Sequence, residues 1–164
     1  MAQWELERTV TQSVLERLID REPGINTEPP PTRAQSVRLL KSSLRRDLEW
    51  LLNTRRTPDA VGREFAELER SLYNFGVPDL TAINRESSRD RNRLARIIEQ
   101  TLATFEPRLK NIRIEQLETK DPSDRTFRFR IDGMLCVEPL EDAVRYDSSL
   151  EPATGTVHVE GAGR

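Results

Sequence analysis

The spacing of apolar residues changes from helical to alternating near residue 110, and this change constrains the fold more than any other feature. Before it, apolar residues such as Leu44 and Leu48 recur every three or four positions, which is the period of an amphipathic helix. After it, Phe127, Phe129 and Ile131 alternate with charged residues, which is the period of a half-buried strand. Helices first and strands last predict an α+β fold, with a helical layer packed on a small, mainly antiparallel sheet.

The N-terminal part predicts a helix followed by a linker. Apolar residues recur at four-residue spacing from Leu6 to Leu18, which predicts one apolar stripe on an amphipathic helix. The run Glu28–Pro31 favours an extended, Pro-rich linker over residues 21–33. We expect this helix to pack against a neighbouring protein, and packing on its own domain is the alternative that the sequence leaves open.

The next two helices are expected between residues 34 and 76. Residues 34–52 carry a continuous apolar face, and Asn53 follows as a candidate C-cap because asparagine tolerates the left-handed backbone. Apolar residues spaced from Phe65 to Phe75 predict a short helix that Gly76 closes.

The last helix is expected to lead directly into the sheet. Ser87 or Ser88 supplies the N-cap, and Asp90 lies in the first turn, where the helix dipole favours a negative charge. One side of this helix is expected to carry Leu94, Ile98, Thr101 and Phe105, and Pro107 ends it.

The strand-forming part predicts a hairpin and two shorter strands. Residues 111–131 alternate on both sides of Asp121–Asp124, whose residue types favour a turn, so the two strands are expected to pair antiparallel. Gly133 is a candidate bulge position, and shorter strands are expected on either side of Gly155. We therefore expect an N-terminal helix and linker over 1–33, the main domain over 34–160, and a flexible tail over 161–164.

The charge balance favours protein partners over polyanions. The 26 basic and 28 acidic residues leave a formal net charge of −2, so no global positive field attracts nucleic acid or anionic lipid. A nucleic-acid-binding module is an alternative, because arginines cluster in one segment: Arg85, Arg89, Arg91, Arg93 and Arg96. Acidic residues interrupt this cluster and no aromatic residues interleave to stack bases, so we expect no nucleic acid to bind.

Cysteine usage and hydropathy indicate a soluble protein of a reducing compartment. Cys136 is the single cysteine, which excludes an internal disulfide and a cluster of thiolate metal ligands. The N-terminal residues lack the pattern of a signal peptide. No window approaches the roughly 20 apolar residues of a membrane-spanning helix, so direct membrane insertion is not expected.

Residues suited to catalysis form no recognisable motif. His158, the sole histidine, is expected on a strand surface, and Cys136 lies between apolar residues as a buried, inert thiol. A glycoside hydrolase needs two carboxylates at a defined separation, and nothing in the sequence marks one pair among 28 acidic residues. We expect no catalytic residues, no metal site and no cofactor, with a cryptic lysozyme-like glycoside hydrolase as the alternative.

Four segments together resemble a known family. They are Ser13-Val-Leu-Glu-Arg-Leu18, Asp47-Leu-Glu-Trp-Leu-Leu-Asn-Thr-Arg55, Ser71-Leu-Tyr-Asn-Phe-Gly-Val-Pro-Asp-Leu80 and Phe105-Glu-Pro-Arg-Leu109. Their order and spacing resemble the TssE proteins of type VI secretion systems, in the lysozyme-like baseplate wedge family shared with contractile phage tails. The resemblance extends from about residue 13 to Val159.

The resemblance implies a non-enzymatic structural subunit with a fold similar to the domain through which sheath subunits interlock. Such a subunit would link the baseplate wedge to the first sheath ring and help start sheath assembly. The implied partners are the wedge proteins TssF and TssG, then TssK, and the sheath proteins TssB and TssC. The implied location is the bacterial cytoplasm, in a baseplate docked at the inner-membrane complex.

The resemblance also implies a partner-binding triplet, Glu106, Pro107 and Arg108. Pro107 fixes a rigid corner between the last helix and the first strand, where Glu106 and Arg108 would be displayed. The alternative is a helix stop with two solvated charges, worth about 0 to 1 kcal/mol. Trp50 is a further candidate contact, because large aromatic residues are enriched at interface hot spots.

Overall fold

The computed structural model describes residues 10–19, 23–24, 31–59, 64–80, 87–117, 126–138 and 140–161. Helices precede a four-stranded antiparallel sheet, so the α+β prediction is confirmed. The elements are α1 (Val14–Leu18), α2 (Arg33–Asn53), α3 (Ala66–Glu69), a 3₁₀ turn (Leu72–Asn74), α4 (Ser88–Phe105), β1 (Leu109–Leu117), β2 (Phe127–Val137), β3 (Leu140–Glu151) and β4 (Thr156–Gly161). Glu28, Pro29 and Pro30 of the predicted Pro-rich run, the turn Asp121–Asp124 and Arg85 lie outside the described residues.

The long helix α2 confirms the prediction for residues 34–52. A capping box starts it: the Thr32 side chain accepts from the Gln35 N–H, and the Gln35 side chain accepts from the Thr32 N–H at 2.8 Å. Leu44 and Leu48 of its apolar stripe are fully buried. The expectation of a left-handed cap at Asn53 is wrong, because α2 ends at this residue without a positive φ. Its side chain instead caps the last turn by donating to the Glu49 carbonyl at 2.8 Å.

The N-terminal helix α1 is shorter than its sequence pattern predicts in the described part. Residues 10–13 are not helical, and Ser13 caps α1 by accepting from the Glu16 N–H. Polar contacts and one apolar residue hold the segment on its own domain: Val10 is buried, and Gln12 donates to the Ser36 carbonyl at 2.8 Å. The apolar residues of α1 are exposed, with Leu18 at 76%.

The predicted helix over Phe65–Phe75 is wrong as a continuous element. It divides into α3 and the 3₁₀ turn, and its apolar spacing does not form one buried face, since Phe65 and Leu72 are exposed. Gly76 ends the segment as predicted, with φ of 104°. A Cβ at this position would lie 2.3 Å from the Thr54 carbonyl oxygen, so only glycine allows the chain to pass α2 here.

Helix α4 follows the predicted bounds. Ser87 caps it by accepting from the Asp90 N–H at 3.2 Å. Its buried side includes Leu94, Ile98 and Leu102 and packs against the inner face of β1. The helix ends at the residue before Glu106, which places the triplet between α4 and β1.

The sheet has the order β1-β2-β3-β4, with every pair antiparallel. The predicted hairpin of the first two strands and the strands on either side of Gly155 are therefore confirmed. The bulge expected at Gly133 is confirmed on the opposing strand, where Asn111 and Ile112 lie opposite this single residue. Asn111 has φ of 52°, a left-handed conformation that asparagine tolerates.

One face of the sheet packs on the helices and the other is polar. Inner residues such as Phe129 and Leu135 are fully buried. The outer face carries charge pairs between directly opposed residues of β2 and β3, including Arg145 and Asp132 at 2.8 Å. The single core thus lies between the helical layer and one sheet face.

Candidate partner-binding site

Backbone hydrogen bonds hold the Glu106-Pro107-Arg108 triplet at both ends. The Glu106 N–H donates to the Leu102 carbonyl at 2.8 Å and closes α4. The Glu106 carbonyl accepts from the Leu109 N–H at 3.1 Å, and the Arg108 carbonyl accepts from the Cys136 N–H of β2 at 2.8 Å. The corner is therefore fixed by the last turn of α4 and by the sheet together.

Glu106 and Arg108 form a bidentate ion pair. Arg108 Nε donates to Glu106 Oε1 at 2.6 Å, and Arg108 Nη2 donates to Glu106 Oε2 at 2.6 Å. Glu106 is only 5% exposed, so the expectation that it is displayed at the surface is wrong. The alternative of two solvated charges is wrong as well, because the guanidinium compensates a carboxylate that is out of water. Pro107 is exposed and Arg108 is half-buried.

Asp47 of α2 completes the site from a distant part of the sequence. Arg108 Nη2 also donates to Asp47 Oδ2 at 2.8 Å. Hydrogen bonding to Glu106 and then to Asp47 raises the pKa of Arg108 above its ordinary value, against the opposing effect of burial. Asp47 belongs to one of the family-like segments, but its role at this site was not predicted from the sequence. The available indication was an acidic residue beside the apolar stripe, three positions after Leu44.

The charge network continues from Asp47 to the N-terminal segment. Arg46 Nη2 lies 3.5 Å from Asp47 Oδ1, and Arg46 Nη1 lies 2.6 Å from Glu16 Oε1 in α1. The Glu16 side chain is only 4% exposed. The network therefore joins α1, α2 and the corner after α4 through alternating charges.

Tyr146 of β3 lies within the electrostatic reach of the same site. It is buried at 4% exposure, and its hydroxyl donates to the Lys41 carbonyl of α2 at 3.0 Å. Burial raises the pKa of Tyr146 to about 12, while the nearby Arg108 charge acts in the opposite direction. The uncharged Tyr146 hydroxyl therefore lies on the inner side of the corner and joins β3 to α2.

A second set of side chains from α2 covers the outer edge of β4. Asn53 Nδ2 donates to the Val157 carbonyl at 2.7 Å, and Asn53 Oδ1 accepts from the Val157 N–H at 2.8 Å. Arg45 donates to the Val159 carbonyl at 2.9 Å. The Asn53 carboxamide donates to and accepts from the Val157 backbone, as a neighbouring strand would. The sequence predicted only a helix-capping role for this residue.

The outer edge of β1 is different. It is the other edge strand of the sheet, since β1 pairs only with β2. Within the described ranges, no side chain or backbone group hydrogen-bonds to its outer backbone groups over residues 111–117. The two edges therefore differ: α2 covers one, and no described residue covers the other.

The remaining candidates from the sequence do not join the site. Trp50 is 66% exposed on α2 and lies three residues after Asp47, so it borders the corner on the helix surface. His158 is exposed on β4, as expected, and lies 3.6 Å from Glu49 Oε1. Cys136 is half-buried, so the expectation of a buried thiol is wrong. The Arg89, Arg91, Arg93 and Arg96 part of the arginine cluster lies on α4, away from the triplet.

The described residues contain no group of three or more histidine, cysteine, aspartate or glutamate side chains placed to hold a metal ion. No helix among them is long and apolar enough to cross a membrane.

A match to a family model shows which protein family this chain belongs to. The model for baseplate wedge protein gp25 matches residues 38–140, which is well over half of the chain. The chain belongs to this family. The match to the baseplate wedge protein family includes Asp47, Trp50 and the whole triplet, whereas α1 and β4 lie outside it.

Two further comparisons complete the picture. A chain of a solved structure described as the baseplate complex from the type VI secretion system shares 18% identity with a TM-score of 0.48, over 70% of this chain and 96% of the other. No match is found among individually curated proteins. A structural role in a baseplate is what membership of the wedge family establishes.

Proposed function

We propose that this baseplate wedge protein links the wedge of a type VI contractile machine to the first sheath ring and helps start sheath assembly. Its partners would be TssF and TssG in the wedge, TssK further out, and TssB and TssC in the sheath. It would work in the bacterial cytoplasm, within a baseplate docked at the inner-membrane complex. The observation that carries this proposal is the outer edge of β1, which no described residue covers, in a protein of the wedge family.

A sheet edge is a template for a strand from another protein, because its N–H and C=O groups lack partners. The outer edge of β4 is a poor template, since Asn53 and Arg45 already hydrogen-bond to Val157 and Val159. A strand arriving there would displace these bonds. Strand addition by a sheath subunit therefore belongs at β1, where no described group competes.

The triplet supports a second contact, with the wedge proteins. Internal pairing with Glu106 and Asp47 holds the Arg108 guanidinium in one orientation, and part of its side chain, 24%, is exposed. A pre-oriented arginine loses little side-chain entropy when a partner binds. The exposed Pro107 and the bordering Trp50 add apolar contact area beside this charge. In this proposal Glu106 acts by positioning Arg108, since its own carboxylate is buried.

The geometry favours a structural role over hydrolysis. A lysozyme-like general acid stands in a cleft with its carboxyl group facing the substrate. Both oxygens of Glu106 instead accept hydrogen bonds from Arg108 within the protein, and the side chain is 7% exposed. We therefore propose no enzymatic activity for this protein.

The experiment is co-expression with TssF and TssG from a type VI gene cluster, followed by size-exclusion chromatography of the complex. The wild-type chain should elute with both proteins. Trp50→Ala should weaken this complex without loss of fold, because the residue is 66% exposed. Phe65→Ala is a matched control, since Phe65 is an exposed aromatic residue (56%) far along the sequence from the corner, and it should leave the complex intact.

Arg108→Lys tests the triplet directly. Lysine keeps the charge but lacks the planar fork, so the variant should elute with less TssF and TssG while its circular dichroism stays that of the wild type. A wild-type chain that stays monomeric in the presence of both proteins would overturn the proposed wedge role.

A further inference from the structure

The outward side of α4 carries three arginines on successive turns. Arg89, Arg93 and Arg96 are exposed, and their spacing of four and three residues places them on one face of the helix. This face points away from the core, because Leu94 and Ile98 lie on the opposite side. It lies away from the triplet, since α4 extends for nine residues beyond Arg96 before it ends at Phe105.

The arginines of the described residues divide into those with an acidic partner in this chain and those without one. Arg45, Arg46, Arg108, Arg130 and Arg145 each form an ion pair with a carboxylate of this chain. No ion pair or hydrogen bond from Arg89, Arg93 or Arg96 is formed within the part of the chain that the structure describes. Three guanidinium groups are therefore available to a partner.

The arrangement is locally unfavourable for the helix. Like charges four and three residues apart destabilise an isolated helix by about 0.2 to 0.5 kcal/mol per pair. An opposite-charge pair at this spacing is favourable instead, as between Arg45 and Glu49 of α2 at 3.2 Å. A departure from local stability at an exposed position is expected where a surface serves binding.

The residues around the arginines favour an acidic protein over a nucleic acid. Asn92 and Gln100 flank them on the same exposed face, with Ile97 at its margin. No aromatic side chain lines this face to stack a base. The formal net charge of −2 also supplies no long-range attraction to a polyanion.

We propose that the Arg89, Arg93 and Arg96 face of α4 binds an acidic helical segment of a partner protein. The matching segment has carboxylates three and four residues apart, so that they meet the guanidinium groups over about 10 Å of helix length. This surface is additional to the wedge and sheath contacts of the proposed function, and the test below does not depend on either.

The test uses an alanine-based helical peptide with glutamates at the matching spacing, titrated into the full chain and followed by NMR of arginine side chains. Binding should shift the signals of Arg89, Arg93 and Arg96. The double variant R93E/R96E should lose affinity for the peptide by about tenfold or more. Arg145→Glu is the control at an exposed arginine (60%) on the outer sheet face, and it should bind as the wild type does.

Two comparison ligands decide the nature of the partner. A peptide of the same composition with scattered glutamates should bind more weakly, and equal binding would overturn the proposal because it indicates unspecific ion exchange. A single-stranded oligonucleotide that binds more tightly than the peptide, with a steep loss of affinity between low and moderate salt, would also overturn it and indicate a nucleic-acid surface.

Discussion

Removing the Arg108 side chain should destabilise the fold strongly, because two carboxylates lose their common partner. Glu106 is 5% exposed, and Arg108→Ala leaves this charge buried without compensation. Breaking a buried pair from one side costs about 3 to 5 kcal/mol. Asp47 and Arg108 retain 28% and 24% side-chain exposure, so solvent screens part of the effect. We expect a loss of about 3 kcal/mol, at the lower end of that range.

The assay is urea unfolding, with the free energy obtained from the midpoint at an unchanged denaturant slope. Arg145→Ala is the matched control, since Arg145 pairs with Asp132 at 2.8 Å but is 60% exposed, and it should cost no more than about 1 kcal/mol. Arg108→Lys should fall between the two, because lysine keeps the charge without the bidentate geometry. Equal losses for the two alanine variants would refute the reasoning that burial gives the corner its strength.

Three further predictions concern positions away from the triplet. Asn53→Asp should cost about 2 to 3 kcal/mol in urea unfolding, because a carboxylate cannot donate to the Val157 carbonyl; an unchanged midpoint would contradict the α2–β4 contact. Gly76→Ala should cost about 3 kcal/mol or more, while Gly161→Ala, whose Cβ meets nothing within 4 Å, should change stability by less than about 0.5 kcal/mol; equal effects would contradict the backbone geometry. The pKa of Tyr146 is raised from 10.0 to about 12, so the unfolded chain ionises first and stability falls as pH rises through this window, by up to about 3 kcal/mol; unfolding of Tyr146→Phe should lack this component, and identical pH profiles would count against it.

Features specified by neighbouring residues could be predicted from the sequence. The caps, the apolar stripes of α2 and α4, and the alternation in β1 and β2 all depend on residues a few positions apart. The bulge opposite Gly133 was also predictable, because a glycine in a strand indicates close backbone approach. These local patterns sufficed for the fold class.

Features that depend on distant partners could not be predicted in this way. Arg108 and Asp47 are 61 residues apart, and Asn53 and Val157 are 104 apart. The residues next to Glu106 do not show whether its side chain is buried. Its partner Arg108 is close in sequence, but Arg108 is held in place by Asp47 of α2, which is distant in sequence. The sequence thus placed residues 106–108 between a helix and a strand, as the structure does, but predicted the wrong environment for the Glu106 carboxylate.

Two segments with helical apolar spacing have exposed apolar residues in the structure, which their spacing did not predict. The spacing in α1 and over Phe65–Phe75 is typical of amphipathic helices, yet Val14, Leu18 and Leu72 are exposed. Periodicity indicates which residues share a face and does not specify what that face contacts. In α1 the polar side contacts the domain instead, through Glu16 and Arg46.

Amide hydrogen exchange on the chain alone and in a complex with TssF, TssG, TssB and TssC tests the central claim most directly. The account predicts that assembly protects amides of β1, over Leu109–Leu117, because a sheath strand pairs with its outer edge. Amides of β4, over Thr156–Gly161, should exchange alike in both states, because α2 already covers that edge. Protection that appears at β4, or no change at β1, would contradict the proposal.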